Sequence, residues 1–319
     1  MNETKPLVSV STTTFNLEAT LGRALDSVLM QKRTFPMEIV IGDDASTDGT
    51  LLIARAYREK HPSIIRLIER EKNAGIQRNT YDTLNQCRGK YTAWLDADDC
   101  WTDPEKLSIQ VEILEANPAV NICAHFVRWV TPDGKVRRKK YPSIPAGRYG
   151  FDEVLKHNFI PGLSAVFRTG IHRDLPNWYF EIASLSDWPL WIVAVLLGDV
   201  IMIDRVMADY SLSPDGSFTS KGAHYWYAAD ADFYERIEGM LPSEWHRTIR
   251  SERGKRYENL SGALREQGRF SDSREAALKA FCSPFLGDRI RSKTKGLVGA
   301  LVREWKYRKG RTEEKNPLV

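Results

Sequence analysis

Apolar positions in the first hundred residues keep two alternating rhythms. Leu7–Thr13, Met37–Gly42, Ile64–Glu69 and Tyr91–Asp96 are short runs rich in β-branched and aromatic residues, each bounded by polar or turn residues, and they read as strands. Between them Leu17, Leu21, Ala24, Leu25, Val28 and Leu29 recur at helical spacing, as do Leu52, Ile53, Ala56 and Tyr57, and Ile76–Cys87 forms a weaker third helix. The order βαβαβαβ predicts an α/β fold with a mostly parallel sheet flanked by helices. Ligands of such sheets bind outside the carboxyl ends of the strands.

Further along, Asp103 can cap a helix that has Pro104 at its first position and runs to Asn117-Pro118. Pro132-Asp133-Gly134 joins Ile122–Val130 to Val136–Tyr141 as a hairpin, so the sheet gains antiparallel members. Asp187-Trp188-Pro189 opens an apolar helix to Leu197. Val200–Asp204 and Met207–Leu212 read as two more strands, followed by a Gly/Ser-containing loop over Ser213–Gly222. From about Gly222 the pattern is helical, and Tyr257, Leu260, Ala263 and Leu264, then Gly268-Arg269-Phe270, then Ala276, Ala277, Leu278 and Ala280 suggest one helix-turn-helix unit packed as an appendage. Three regions follow: residues 1–105, residues 106–222, and a helical extension over residues 223–319.

The segments expected at the strand ends are Thr12–Asn16, Asp43–Gly49 and Asp96–Asp99. All are polar, and two are acidic. Three carboxylates at Asp96, Asp98 and Asp99 offer the hard oxygen ligands that Mg2+ or Mn2+ accepts, and a sugar-nucleotide donor needs such a cation to neutralise its departing diphosphate. An Asp at a strand end can take the imide N–H of uracil, Thr13 or Thr14 can bond base or ribose, and Phe15 can stack. The alternative makes Asp43 and Asp44 a loop start and Ser46–Gly49 a helix cap.

In order, these motifs resemble the family 2 glycosyltransferases, inverting enzymes of the GT-A fold, over roughly residues 5–215. Val8–Asn16 looks like the opening strand and nucleotide loop, and Ile41–Thr50 like the second motif. Asn73-Ala74-Gly75 with Arg78-Asn79 looks like the third, and Leu95–Asp99 like the metal motif. The resemblance implies that Thr13, Phe15 and Asp43 hold the base, that Arg78 supports the nucleotide, that Asp96 meets the ribose or metal-bound water, and that Asp98, with Asp99 close by, binds the metal. It implies Asp187 as general base, although the acidic neighbour usual in the family is Ser186 here. The competing role for Asp187 is capping the helix that Pro189 starts. Trp188 is the aromatic expected to face the acceptor. Where the family often has an Arg after its last Tyr, this chain reads Tyr210-Ser211-Leu212.

With 42% hydrophobic and 28% charged residues in 319, the chain can bury a large core. Cys87, Cys100, Cys123 and Cys282 show neither disulfide nor zinc spacing, which fits a reducing cytoplasm. The N-terminal segment reads as neither a signal peptide nor a membrane span. The net charge of +4 is unevenly distributed: residues 289–311 hold nine Lys and Arg against Glu304 alone. That tail suits either solvent or a polyanionic neighbour such as an anionic membrane, reached by a peripheral enzyme. No nucleic-acid recognition motif accompanies it, and nucleic acid is not an expected partner. The expected partners are a nucleotide-sugar donor, a UDP-sugar first, and a carbohydrate or lipid-linked glycan acceptor, as in synthesis of surface polysaccharide or glycolipid. A catalytically idle sugar-nucleotide-binding module and a nucleotidyltransferase are the alternatives.

Overall fold

Every residue of β1 (Val8–Thr14) and of β2 (Met37–Asp43) is buried, as expected for parallel strands covered on both faces. The computed structural model describes residues 5–182, 187–212 and 221–283, together with residues 299 and 302. The remaining strands are β3 (Ile65–Glu69), β4 (Tyr91–Trp94), β5 (Cys100–Trp101), β6 (Val120–Val130), β7 (Val136–Tyr141), β8 (Gly147–Tyr149), β9 (Val166–Arg168) and β10 (Asp199–Ser211). Among the described residues they form one ten-stranded sheet in the order β3-β2-β1-β4-β9-β6-β10-β5, with β7 beside β6 and β8 beside β10. β3, β2, β1 and β4 are parallel, and β9 enters antiparallel to both β4 and β6. The mixed sheet with flanking helices is the GT-A architecture.

The crossovers are α1 (Leu21–Leu29), α2 (Thr50–Lys60) and α3 (Ile76–Asn85). Leu21, Leu25 and Val28 of α1 pack on Val8, Val10, Ile39 and Ile41. Each such fully buried side chain contributes about 1.5–3 kcal/mol of transfer free energy. The helix begins at Leu21 rather than Leu17, because the Leu17 and Glu18 amides donate to Thr50 Oγ1 and Asp48 Oδ2, which pins residues 17–20 as a turn. Next, α4 (Lys106–Ala116) starts after a turn in which Asp103 Oδ1 accepts the Glu105 amide at 2.9 Å. The predicted hairpin is present as β6 and β7. The two strands expected after residue 199 are one, β10, whose register with β6 slips between Ile203 and Val206, where the charged pair Asp204-Arg205 interrupts the apolar pattern.

Short helix α5 (Phe151–Lys156) and the apolar α6 (Trp188–Leu197) follow. Contacts divide the chain into two compact units: Met1–Glu181 with Ser186–Pro214, and Ile182–Leu185 with Asp215–Val319. The second contains α7 (Gly222–Ile237), α8 (Ser243–Glu266) and α9 (Phe270–Cys282). There Tyr257 and Leu264 of α8 pack on Ala276 and Ala280 of α9, and Gly268 turns the chain between the two helices at φ +75°, a region open to glycine. Residues 213–220 of the expected loop, and the basic tail apart from residues 299 and 302, lie outside the described residues. Among those described, no helix is long and apolar enough to cross a membrane.

Candidate active site

β1 lies between β2 and β4, so the three loops at their carboxyl ends are neighbours. The first two interlock. Asn16, in the left-handed region at φ 53°, accepts the Thr47 amide at 2.8 Å and donates its own amide to Ser46 Oγ at 3.0 Å, while Glu18 accepts the Gly49 amide at 2.6 Å. Asp43 is fully buried at the end of β2. Its Oδ2 accepts the Ser46 amide at 3.1 Å, and its Oδ1 has no partner among the described residues. A buried carboxylate oxygen lacking a donor is costly, and it offers one acceptor to an incoming N–H. Asp44, by contrast, accepts the Ala74 and Gly75 amides at 2.9 and 3.0 Å and so anchors the loop before α3. Phe15 is 44% exposed. Arg78 pairs with Asp82 at 3.0 Å, with its guanidinium 5.6 Å from the Phe180 ring centre.

The acidic turn after β4 is held from three directions. Thr13 Oγ1 donates to Asp96 Oδ1 at 3.0 Å, and the Asp99 amide closes a turn onto Asp96 O. From β10, the Ser211 amide donates to Asp99 Oδ1 at 2.8 Å and its hydroxyl donates to Asp98 O at 2.5 Å. From α1, Arg23 donates to the same Asp98 carbonyl at 3.1 Å. Burial raises the pKa of all three carboxyl groups, reinforced at Asp98 by the charge of Asp96 and at Asp99 chiefly by that of Asp98; Asp98 is pushed up to about 6. Their sequence roles separate here. Asp99 is buried and spends one oxygen on Ser211, whereas Asp96 and Asp98 are half-buried.

A divalent cation suits this turn chemically, since it would offset the burial that raises all three carboxyl groups and the mutual charge that adds to the rise at Asp98 and Asp99. Among the described residues no three acidic, His or Cys side chains form a complete metal site. A cation here would take one or two of these carboxylates and complete its shell with substrate phosphate and water.

Asp187 precedes α6 without the hydrogen bond of an N-cap side chain, and its Oδ1 accepts Asn158 Nδ2 at 3.1 Å. Burial pushes its pKa up to about 6, with the Asn158 bond and the Trp188 amide opposing and the Asp96 charge adding to the rise. After burial, the charges of Asp99, Asp98, Asp96 and Asp187, in that order, raise the pKa of the Tyr210 phenol. Trp188 is a core residue, contrary to the expectation of an acceptor-facing aromatic. It is 1% exposed and its indole donates to Val154 O at 2.9 Å, because the first turn of the wholly apolar α6 is buried. Asn158, Ser211 and Arg23 are the residues that motif reading missed. Only Ser211 had a signal, as the residue after the last predicted tyrosine.

An acidic turn at the carboxyl edge of a nucleotide-type sheet suits a transferase that uses a nucleotide-activated donor. Residues 9–175 match the sequence profile of "Glycosyl transferase family 2", about half of the chain. The chain belongs to this family and is a glycosyltransferase. It is 35% identical over 239 residues to the protein Rv1520 of Mycobacterium tuberculosis, covering 73% of this chain and 68% of that one. It is 29% identical over 247 residues to the putative teichuronic acid biosynthesis glycosyltransferase TuaG of Bacillus subtilis, covering 75% and 92%. Among solved structures, S. aureus TarS 1–349 in complex with UDP-GlcNAc superposes with a TM-score of 0.63 at 19% identity, covering 95% of this chain and 92% of that one. Against a longer TarS chain the match spans about half of its length, 53%. At such identity the likeness shows the fold alone.

Proposed function

We propose that this enzyme is an inverting, metal-dependent transferase that moves a sugar from a UDP donor to a hydroxyl of a surface polysaccharide or glycolipid glycan. The observation that carries the reading is the acidic turn at the carboxyl end of β4, held by Thr13, Ser211 and Arg23, with Asp187 close enough for the charge of Asp96 to raise its pKa. Phe15 stacks on the uracil, the free Oδ1 of Asp43 accepts its imide N–H, and Thr13 and Asp96 meet the ribose, with Arg78 supporting the nucleotide from α3. Asp98 is the chief metal ligand, assisted by Asp99. A bound Mn2+ or Mg2+ supplies Lewis-acid neutralisation of the diphosphate. Asp187 removes the acceptor hydroxyl proton as that oxygen bonds to the anomeric carbon and the bond to the diphosphate oxygen breaks. Attack from the face opposite the leaving group inverts the anomeric configuration. Asn158 holds the carboxylate in place.

Two similarities support the choice of substrates: a protein of the same fold holds UDP-GlcNAc, and TuaG, at 29% identity, is named for teichuronic acid biosynthesis. Calorimetric titration of UDP-sugars and GDP-sugars with and without Mn2+ tests the donor. Binding of UDP-sugar only with metal is expected, and equal binding in excess chelator would remove the metal from the reading. Donor hydrolysis by the wild type distinguishes an enzyme from an idle binding module.

A further inference from the structure

β7 reads Val136-Arg137-Arg138-Lys139-Lys140-Tyr141, four cations in six residues, and Lys135 precedes it. Among the described residues it pairs with β6 alone. Cations often line such edges simply to prevent strand pairing. Here the pattern goes further. Lys135 is paired with Asp133 at 2.6 Å and Lys140 with Asp204 at 2.5 Å, whereas exposed Arg137 and Lys139 make no ion pair among the described residues.

The strand also leads to the reaction centre. Trp129 on β6 has its ring 4.8 Å from Tyr141 on β7 and 6.4 Å from Tyr210 on β10, and the Arg138 guanidinium lies 5.2 and 5.0 Å from the Trp129 and Tyr141 ring centres. The indole N–H of Trp129 has no acceptor among the described residues. Tyr210 is followed by Ser211, which grips the Asp98-Asp99 turn. Tyr141 is raised in pKa first by burial and then by the charge of Asp187, so the two lie within electrostatic reach. Contacts thus run from the acidic turn through Ser211, its chain neighbour Tyr210 and Trp129 to Tyr141 and Arg138 on β7, the strand that also carries Arg137 and Lys139.

We propose that β7 with Trp129, Tyr141 and Tyr210 is the acceptor cradle, and that the acceptor is a polyanionic glycan. Its carboxylate or phosphate groups pair with Arg137, Arg138 and Lys139 while a sugar ring lies against the aromatic wall. This assignment rests on the sugar-transfer reading, because it names the acceptor of that reaction. Aromatic faces pack well on the C–H faces of sugars, and unpaired cations at a strand edge raise the local concentration of an anionic chain.

The test is calorimetry at low salt, without donor or metal. It uses octagalacturonate for carboxylate, short-chain inorganic polyphosphate for phosphate, and malto-octaose as the neutral glycan. The wild type should bind an anionic probe at least about tenfold more tightly than malto-octaose, and added salt should weaken that binding. The tighter of the two anions names the group recognised. The double variant Arg137→Gln with Lys139→Gln should lose roughly tenfold in affinity with an unchanged melting curve. Removing the same charge elsewhere, with Lys5→Gln and Lys60→Gln, should change affinity by less than about twofold. Equal losses in the two double variants, or no preference for anions, overturn the proposal. Anionic vesicles that bind through Arg137 and Lys139 while both soluble anions fail would give β7 to a membrane instead, and also overturn it. A parallel UDP-sugar titration of the wild type keeps the readings apart. Donor binding without anion preference defeats the acceptor assignment alone, and absent donor binding defeats the transferase reading.

Discussion

At Asp187, capping and proton transfer make different demands on a carboxylate, and an amide separates them. Asp187→Asn keeps the shape and the partner on Asn158 but cannot take a proton, so donor affinity and melting should hold while transfer falls on the order of a hundredfold or more. Initial rates beside donor calorimetry check this, and parallel loss of donor binding would move the residue to the donor site. The carboxyl is pushed up to about 6, and only its ionised form is a base. Transfer should therefore be level above that pH and fall about tenfold per unit below it, as a pH profile of kcat/KM reads. At the turn, Asp98→Asn should abolish transfer with the fold retained, and excess chelator should do the same to the wild type; turnover in chelator would count against a metal. The strand-end positions of Thr13, Asp43 and Asp96 were legible because strand ends write their chemistry in contiguous letters. Asn158, Arg23 and Ser211 were not, since they meet Asp187, Asp98 and Asp99 across 29, 75 and 112 residues, separations that no local spacing encodes.

Elements transmit these positions through close packing, as where α3 crosses β2. A Cβ at Gly42 would stand 2.1 Å from Thr83 Oγ1 and 2.6 Å from Asn79 Oδ1, both buried on α3, and Asn79 already donates to Gly42 O at 2.8 Å. Gly42→Ala should thus cost about 1–3 kcal/mol by forcing the helix outward, and weaken donor binding through the adjoining Asp43. Gly22 in α1 has nothing nearer than 3.5 Å, and Gly22→Ala should be neutral or stabilising by up to about 1 kcal/mol. Denaturant unfolding of the pair reads both, and equal effects would refute the packing argument. The first four strands and three crossovers were readable because covered strands and amphipathic helices have distinct periods. The single β10 was not, because Asp204-Arg205 looks like a turn when the neighbouring strand that absorbs the slip is unknown. For Trp188, the string revealed an aromatic but not which way the first turn of α6 faces.

On the scale of the whole molecule, the pattern of residues 289–311 carries its own prediction. Nine cations interleaved with Leu297, Val298, Leu301, Val302 and Trp305 should bring the protein down with anionic but not neutral vesicles, progressively less as salt rises. Failure to pellet at low salt would leave the enzyme with a soluble acceptor. The first unit has a further property that belongs to time rather than space. Synthesis proceeds from the N-terminus, and β1 to β4 can pair once residue 94 has left the ribosome, yet the donors that hold Asp98 and Asp99 from β10 belong to Ser211. A nascent chain can therefore complete its nucleotide platform long before its acidic turn is closed. Such long-range contacts form slowly, so the competent site is a late event in the birth of the protein, and a chain released before Ser211 lacks the main-chain donor to Asp99.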